Sequence, residues 1–563
     1  MPSELDLNLA AEMARLTAPD GPLALGAIEQ GGVTLPVIAT APPALPPYFA
    51  HFCAEHADKT FLVAGAERLT FGEVYTQAKA VAAGLVDGFG VERGDRVGIA
   101  MRNSPAWIVL YMGAVMAGGV ATLLNGWWSG EELAEAIADV GCGVVFADGP
   151  RADRLAGAAR PVDVVAINDR LPLAEALGPV TARGGSADTM LPELTGDDAA
   201  TILFTSGSTG RSKGALSDHR AVVQGVFNFL AQALMVVGVV NGGAMPEEQP
   251  ATLLTIPLFH VTAEIPVMLQ SFAMGRKLVI MPKWDAEEAM RLIDREGVSY
   301  FVGVPLMSYE ILTHPERHKY DLSKVTDFAA GGAPRPIEHV RRIEAEMGGS
   351  APLIGYGLTE TNAVGCANWR DNYLAKPEST GAASKPLVEV AIVDGAGRAV
   401  AQGERGEVAI RSVCNFSRYW NRPEDTAAAF TADGFFLTGD IGTLDADGYL
   451  FIVDRKKDII IRGGENISCQ EVEAAIYRHP AVAECAVFGL PDARLGEVPG
   501  AVVHYRPGEA LATEDLCAFL GEHISAFKLP ARVWVSPESL PRLGTEKIDK
   551  VALRSRYRAL AAA

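Results

Sequence analysis

The stretch ATILFTSGSTGRSKGALSDH, from Ala200 to His219, contains the densest loop of small residues in the chain. An apolar run, 202–204, leads into hydroxyl groups and glycines, and the loop closes on Lys213. Small residues let backbone N–H groups approach a ligand closely, and hydroxyls beside a cation suit phosphate oxygens. The loop therefore indicates a phosphate site, and composition alone leaves a flexible Gly/Ser linker as the alternative.

This loop is not the phosphate-binding loop of the P-loop NTPases. Counted from Gly207, that pattern needs glycine at position 212 and serine or threonine directly after Lys213. The chain has Ser212 and Gly214 at these positions, which excludes the P-loop NTPase class.

The composition is that of an ordinary globular protein, with 49% hydrophobic and 21% charged residues in a chain of 563. At ~150 residues per domain, this length predicts about three or four folding units. A formal net charge of −20 argues against nucleic acid and anionic membrane surfaces as partners. The seven cysteines form no CxxC pair, which indicates reduced thiols rather than disulfides or a zinc site. With no signal peptide and no run of ~20 apolar residues, we expect a cytoplasmic protein without an integral membrane segment.

Strand-like and helix-like stretches alternate after an N-terminal arm over residues 1–45. Strands are predicted at 96–101, 120–125 and 143–148, with helices opened by Ser104-Pro105 and by the Ser129/Glu132 capping box. This alternation predicts an α/β fold with a large N-terminal domain, residues 46–455, in which helices cover parallel sheets. Short strands and Gly turns over about 380–453 predict a small β-barrel-like subdomain within this domain. Residues 456–563 are expected to form a small α+β C-terminal domain.

Eight short segments occur in one order along the chain: TSGSTGRSKG (205–214), PLFHV (257–261), GGAPRP (331–336), YGLTE (356–360), TGD (438–440), DRKKD (454–458), GGENIS (463–468) and LPRLGTEKIDK (540–550). Together they resemble the adenylate-forming superfamily of acyl-CoA synthetases, firefly luciferase and peptide-synthetase adenylation domains. The resemblance extends from about residue 45 to 555. It implies an acyl-CoA synthetase in which a carboxylic acid and ATP give acyl-AMP and pyrophosphate, and CoA then displaces AMP.

The resemblance also implies the partners of the chain, which are ATP, Mg²⁺, a carboxylic acid, and either free CoA or a carrier protein as acceptor. A homodimer is an assembly that the sequence leaves open. Because the attacking carboxylate and the α-phosphate are both anionic, we expect catalysis to depend on positioning and charge neutralisation.

The resemblance places the triphosphate and the adenine at two of these motifs. The opening loop would embrace the β- and γ-phosphates through Thr205, Ser206, Gly207, Ser208, Thr209, Gly210 and Lys213. The adenine and α-phosphate site would comprise Gly331, Gly332, Ala333, Pro334, Tyr356, Gly357 and Thr359. Glycines allow close backbone approach and an aromatic ring stacks on a base, although Gly-Gly-Ala-Pro also occurs as a simple turn.

Four further residues are assigned by resemblance, each with a plain structural alternative. Glu360 resembles the magnesium ligand, because a hard cation needs an oxygen donor beside phosphate; the alternative is a surface carboxylate. Asp440 resembles the ribose ligand, or else stabilises a turn. Arg455 would add a cation near the ribose and phosphate, or is a solvated charge. His260 would line the acyl site near the reacting carboxylate, or is a core histidine.

Lys547 resembles the lysine that bridges the carboxylate and the α-phosphate, with Lys550 as a second candidate. The implied catalytic residues are Lys547, His260, Thr209 and Glu360. The family usually has glycine before this lysine, whereas this chain has Glu546, whose carboxylate would draw Lys547 into an ion pair and weaken adenylation.

Lys457 aligns with the hinge about which the C-terminal domain swings between the two half-reactions. In the second state, the loop of Gly463, Gly464 and Glu465 resembles the lining of the CoA pantetheine channel. Ser212 stands where the family commonly has proline, which predicts a less rigid loop.

The apolar residues Val261, Val302, Val304 and Met307 are compatible with an apolar acyl tunnel. Medium- or long-chain fatty acids fit best, and aryl acids or a steroid side chain fit nearly as well. A peptide-synthetase adenylation domain, a luciferase-like oxygenase and a degenerate nucleotide-binding regulator remain as alternatives.

Overall fold

The computed structural model describes residues 2–157, 163–205, 212–244, 247–333, 335–347, 349–456, 458–462, 465–492, 494–506, 508–510, 512–543 and 547–562. The chain forms two compact units. The first comprises Met1–Val390 with Ile410–Phe436, and the second Ala391–Ala409 with Leu437–Ala563. The domain boundary expected at 455/456 stays a prediction.

One sheet of the first unit contains the strand that precedes the small-residue loop. Its strands, in spatial order, are Arg418–Tyr419, Gly214–Asp218, Ala199–Phe204, Val120–Leu123, Arg96–Ala100, Cys142–Asp148 and Asp163–Ile167. From Ala199–Phe204 onward, neighbouring strands are parallel, and Gly214–Asp218 pairs antiparallel with both its neighbours. The three strands predicted at 96–101, 120–125 and 143–148 are therefore present, in a parallel sheet.

A second sheet of this unit contains the motifs around Gly331 and Tyr356. Its neighbouring strands are Gly381–Ala383, Gly365–Trp369, Ala351–Gly357, Asp327–Gly331, Tyr300–Gly303, Ala251–Leu254, Lys277–Ile280, Thr60–Ala64 and Glu67–Thr70. The strands from Ala351–Gly357 to Thr60–Ala64 are parallel. Their carboxyl ends therefore share one edge, where ligands bind in open α/β sheets.

Helices cover these sheets, as the alternating pattern predicts. The α-helices of the first unit are Glu4–Leu16, Leu45–Glu55, Phe71–Ala83, Pro105–Met116, Gly130–Val140, Gly149–Ala156, Leu173–Ala176, Gly178–Thr181, His219–Asn241, Gln270–Ala273, Ala286–Glu296, Pro305–Thr313, Ile337–Glu346, Arg370–Ala375 and Pro423–Ala428. Shorter helical segments are the π-helical Gly84–Gly88 and Ala263–Leu269 and the 3₁₀-helical Arg317–Lys319 and Thr359–Thr361. The predicted capping box is present, since Ser129 and Glu132 each donate a backbone N–H to the other's side chain.

The N-terminal arm has more structure than its weak periodicity indicated. A helix, Glu4–Leu16, begins at a capping box and buries Leu9, Met13 and Leu16. A hairpin of Leu25–Gln30 and Val33–Ile38 follows. Short stretches of this kind give little periodic signal, and their burial against the rest of the unit determines that they fold.

One helix of the described residues, His219–Asn241, is long and apolar enough to cross a membrane, with a mean hydropathy of 1.8. However, 56% of its most apolar stretch is buried inside the protein. The Gln224 side chain accepts from the Ile38 N–H at 2.8 Å and donates to the Ile38 carbonyl at 3.0 Å. The helix is thus tied into the core of the first unit.

The strands of the second unit fall into two groups. The neighbouring strands Glu389–Val393, Gly406–Arg411, Phe436–Leu444 and Tyr449–Arg455 form the first group, and the subdomain bounds expected at about 380–453 stay a prediction. The other has the order Glu465–Ile467, Ile460–Arg462, Gly496–Tyr505 and Val482–Asp492, and Arg532–Ser536 pairs with Gly496–Tyr505. The α-helices Cys469–Tyr477, Thr513–Gly521 and Lys550–Ala562 and the 3₁₀ turn Ala526–Lys528 complete the predicted α+β region.

Candidate functional site

The small-residue loop connects two antiparallel strands. Phe204 pairs with Gly214, and the Thr205 N–H donates to the Lys213 carbonyl at 3.0 Å, which closes the base of the loop. The predictions at Ser206, Gly207, Ser208, Thr209 and Gly210 lie outside the described residues. The two ends of the loop, Thr205 and Lys213, are therefore anchored on paired strands.

Lys213 is held at the base of this loop by a carboxylate. Its Nζ lies 2.6 Å from Asp425 Oδ1, on the helix Pro423–Ala428, and 4.9 Å from the centre of the Tyr419 ring. An ion pair and a cation–π contact both act on the ammonium group. Asp425 and Tyr419 were missed by the sequence reasoning, because no spacing links them to the loop.

Glu360 is 9% exposed and lies in the turn Thr359–Thr361. Its Oε1 accepts a hydrogen bond from the Tyr419 hydroxyl at 2.7 Å, and its backbone carbonyl accepts from the Phe416 N–H at 2.7 Å. Burial and the neighbouring Glu360 carboxylate raise the pKa of Tyr419 well above its usual range, so the phenol remains a donor. Tyr419 therefore orients one oxygen of Glu360 and lies over Lys213.

The glycines and the aromatic residue predicted for the adenine site end two adjacent parallel strands. Gly331 pairs with Gly355, the residue before Tyr356, and Gly332 has φ +76°. Ala333 follows, and Pro334 lies outside the described residues. Gly357 is required by packing, because an added Cβ would lie 2.1 Å from a carbonyl oxygen of the following turn.

His260 is half-buried and lies three residues before the π-helical segment Ala263–Leu269. Its carbonyl accepts from the Ala263 and Glu264 N–H groups at 2.9 and 3.0 Å. The PLFHV loop is fixed by Asn103, whose side chain accepts from the Leu258 N–H at 2.8 Å and donates to the Ile256 carbonyl at 2.9 Å. The role of Asn103 was missed too, since the two segments are distant in sequence.

The apolar residues expected to line one tunnel belong to two different clusters. Val261 and Val302 are buried in the main core of the first unit. Val304 and Met307 are buried in a separate core with Phe301 and Phe328. Val304 follows the strand Tyr300–Gly303 and precedes the helix Pro305–Thr313. Because the chain turns from strand to helix here, Val304 and Met307 lie on the opposite face of the sheet from Val302.

Asp440, Arg455 and Lys547 come together in the second unit. Asp440 and Arg455 are paired positions on adjacent strands, and Arg455 Nε lies 3.3 Å from Asp440 Oδ1. Desolvation and the charge of Arg455 lower the pKa of Lys547 to about 8, and Asp440 opposes the shift. The Leu543 N–H donates to the Lys547 carbonyl at 2.7 Å and holds the backbone there.

Lys550 has a different environment. Its Nζ lies 2.6 Å from Glu473 Oε1 on the helix Cys469–Tyr477. This half-buried ion pair makes Lys550 a structural residue of the unit. Lys457, Gly463, Gly464 and Glu546 lie outside the described residues, and Glu465 begins the strand Glu465–Ile467.

Two family models match the chain. The model of the AMP-binding enzyme covers residues 49–420, and that of the AMP-binding enzyme C-terminal domain covers 471–547. The chain belongs to the AMP-binding enzyme family.

Relatives of this enzyme share most of its length. It is 32% identical over 527 residues to a long-chain-fatty-acid–CoA ligase of Bacillus subtilis, covering 88% of this chain and 91% of the relative. It is also 32% identical over 523 residues to the 3-[(3aS,4S,7aS)-7a-methyl-1,5-dioxo-octahydro-1H-inden-4-yl]propanoyl:CoA ligase of Rhodococcus jostii, covering 89% and 96%. The crystal structure of ATP-bound MatB from Rhodopseudomonas palustris aligns with a TM-score of 0.80 at 29% identity, covering 92% and 99%.

The enzyme is therefore an AMP-forming acid–CoA ligase, which uses ATP to join a carboxylic acid to CoA. The predicted resemblance and fold class are confirmed by these comparisons.

Proposed function

We propose that the ligase acts on a largely apolar carboxylic acid, most suitably a medium- or long-chain fatty acid, with CoA as the acceptor. The observation that supports this class is that Val261, the residue after His260, is buried in the apolar core of the first unit together with Val302 and partly buried Tyr356. Burying a methylene contributes about 0.8 kcal/mol, so an alkyl chain gains affinity with length in such surroundings. The name of the Bacillus subtilis relative supports the same class.

A steroid-like or aryl acid is the second candidate. The Rhodococcus jostii relative is named for a fused-ring propanoyl group, and it is as similar to this chain as the Bacillus relative is. An apolar pocket admits a ring system as readily as a chain of similar width, because burial of apolar surface has no directional requirement.

We infer that the first unit binds the triphosphate. The loop from Thr205 to Lys213 would contact the β- and γ-phosphates, with Lys213 leaving Asp425 for phosphate oxygens. Glu360 would hold Mg²⁺ through a carboxylate whose orientation depends on Tyr419. Mg²⁺ would neutralise phosphate charge, which favours attack by an anionic carboxylate.

The second unit would supply the ribose site and the catalytic cation. Asp440 is 4% exposed and accepts hydrogen bonds from ribose hydroxyls in this proposal. Arg455 adds positive charge near the α-phosphate. Lys547 would bridge the carboxylate and the α-phosphate while negative charge accumulates in the transition state.

We further propose that the C-terminal domain swings about Lys457 after adenylation. Lys547 would then leave the site, and the loop of Gly463, Gly464 and Glu465 would line the channel of the CoA thiol. A cytoplasmic location and a homodimer are proposed with the same function, and analytical ultracentrifugation of the purified enzyme tests the dimer.

The proposal is tested by a paired assay of the two half-reactions. Lys547→Ala should lose pyrophosphate exchange by orders of magnitude but still convert supplied acyl-AMP to acyl-CoA at a near-native rate. In wild type, thioester formation should rise steeply from acetate to decanoate. Equal damage to both half-reactions would contradict the domain swing, and a flat response to chain length would contradict the substrate class.

A further inference from the structure

A set of buried polar side chains lies in the first unit, outside the residues assigned to ATP and CoA. Trp107, Tyr111, Asn228 and Glu264 are completely inaccessible to solvent. We call these four residues the interior polar cluster. They come from the helix Pro105–Met116, the helix His219–Asn241 and the π-helical segment Ala263–Leu269.

Direct contacts join the first helix to the π-helical segment. The Tyr111 hydroxyl donates to Glu264 Oε1 at 2.8 Å. Trp107 precedes Tyr111 by one helical turn, and the two rings are stacked with their centres 5.6 Å apart. The three side chains therefore form one contiguous group in the core.

The second helix packs on the same segment. A Cβ added at Gly225 would lie 3.7 Å from Ile265 Cγ2 and 3.4 Å from Asn362 Cβ. Asn228 follows Gly225 by one helical turn, on the same face of its helix. The Gln270 side chain donates to the Phe229 carbonyl at 3.0 Å, so the contact continues past Asn228.

Several polar atoms of this cluster have no hydrogen-bond partner within the part of the chain that the structure describes. These atoms are Trp107 Nε1, Glu264 Oε2, and both Oδ1 and Nδ2 of Asn228. Nearly all buried polar groups in native proteins are paired, because leaving one unpaired opposes folding. Several unpaired buried polar atoms within one group of side chains are expected where a ligand supplies the missing hydrogen-bond partner.

Backbone and packing contacts connect the cluster to residues near the proposed acyl and metal sites. Glu264 donates its N–H to the carbonyl of His260 at 3.0 Å, so the two residues share one turn. Asn362, beside Gly225, follows the turn that contains Glu360. A substrate whose carboxylate is near His260 would therefore extend its acyl part toward these atoms.

The unpaired atoms are mainly donors. Burial raises the pKa of Glu264 to about 8, so this carboxyl group is mostly neutral at neutral pH. Because Oε1 accepts from Tyr111, the acidic proton belongs on Oε2, which becomes a donor. Trp107 Nε1 is a donor only, and the Asn228 amide is both donor and acceptor. No cationic side chain belongs to the cluster, so its complement is an uncharged oxygen.

We propose that the interior polar cluster binds an uncharged oxygen, a keto or hydroxyl group, carried by the acyl part of the substrate acid. This inference rests on the proposed function and names, within a largely apolar class of acids, those that bear one internal oxygen. A ketone accepts hydrogen bonds from Glu264 and Trp107, and a hydroxyl group can in addition donate to Asn228. A site built to hydrogen-bond an oxygen discriminates against the analogue that lacks it, since its own groups then stay unpaired.

The experiment compares acids of equal length that differ only in the oxygen. A straight-chain alkanoate and a series of its keto and hydroxy derivatives, substituted at successive carbons, are assayed for thioester formation with wild type and Glu264→Leu. We expect the preferred oxygen-bearing acid to lose about 10-fold or more in kcat/KM in the variant, because its partner is gone. The plain alkanoate should be unchanged or faster.

Tyr48→Phe is the matched control. Tyr48 is also completely buried and donates its hydroxyl to the Leu269 carbonyl at 2.6 Å, outside the cluster. Its loss should affect the oxygen-bearing and plain acids equally.

A binding measurement supports the kinetic one. The preferred oxygen-bearing acid should raise the melting temperature of wild type more than the alkanoate does, and Glu264→Leu should abolish this difference. The proposal is overturned if wild type prefers the alkanoate to every derivative, or if Glu264→Leu slows both acids equally, which would indicate a cluster that holds only water. If only the alkanoate gives a thioester, the proposed function stands and the oxygen-binding role of the cluster is refuted. If no acid gives a thioester, the proposed function is refuted. In that case the difference in melting temperature between the two acids still tests the oxygen-binding role.

Discussion

Raising the pH should slow adenylation, because it removes the charge of Lys547. The ammonium group is needed in the proposed role, because it bridges two anionic groups in the transition state. An ordinary lysine would keep its charge throughout the usual assay range, since its pKa is near 10.4. Desolvation and Arg455 instead lower the pKa of Lys547 to about 8.

The size of the effect follows from this value. With a pKa of about 8, Lys547 is about 90% protonated at pH 7 and about 10% protonated at pH 9. The adenylation kcat/KM should therefore fall about 10-fold between these pH values, because kcat/KM reports groups of the free enzyme. The charge is present below the folded pKa and is lost as the pH rises through it.

The assay is ATP–pyrophosphate exchange with a saturating acid, followed from about pH 6.5 to 9.5 at constant ionic strength. CoA is left out because its thiol titrates in the same range. Lys547→Arg is the first control, since a guanidinium group keeps its proton and should give a flat alkaline limb at lower overall activity. Lys550→Arg is the second control. Because Lys550 lies outside the site, this variant should have the same pH profile as wild type.

Neighbouring charges should move the midpoint in opposite directions. Asp440→Asn removes the charge that stabilises the ammonium group, so the alkaline limb should shift to lower pH. Arg455→Gln removes a repelling charge, so the limb should shift to higher pH. A kcat/KM that stays constant from pH 7 to 9.5 in wild type, or a decline that persists in Lys547→Arg, would refute the assignment.

Three further variants test the contacts around the proposed site. Tyr419→Phe removes the hydrogen bond to Glu360, so the Mg²⁺ concentration for half-maximal exchange should rise about 10-fold; an unchanged Mg²⁺ response would contradict the metal role. Gly357→Ala places a Cβ 2.1 Å from a carbonyl oxygen, so ATP binding measured by calorimetry should be lost, and native affinity would show that the turn can relax. Lys550→Met leaves the half-buried Glu473 carboxylate without its partner and should cost about 1–3 kcal/mol in the free energy of unfolding by urea, a loss that Glu473→Gln added to it should partly restore.

Local signals in the sequence were sufficient for most helices and strands. The Ser129/Glu132 capping box and the strand at 96–101 depend on interactions between near neighbours, and these are readable from residue order. The weakly patterned arm was the exception, because its helix Glu4–Leu16 is stabilised by burial against distant residues.

The order of the eight motifs along the chain was sufficient for the family and the general reaction, which the family match confirms. Order does not determine which side chains meet, because that depends on how distant segments pack. Only the tertiary structure brings the Tyr419 hydroxyl to Glu360 and places Asp425 on Lys213. It likewise separates the two lysines, since Lys550 lies against Glu473.

The sequence by itself thus determined the fold class, the family and the candidate residues, because small-residue loops, caps and motif order are local properties. The tertiary structure alone decided the charges and pairings of those residues. Desolvation of Lys547 and Glu264, the division of the apolar residues between two cores, and the unpaired atoms beside Tyr111 all arise from contacts between segments far apart in the chain. Electrostatic and hydrogen-bond energies depend on such distances and on burial, which residue order does not contain.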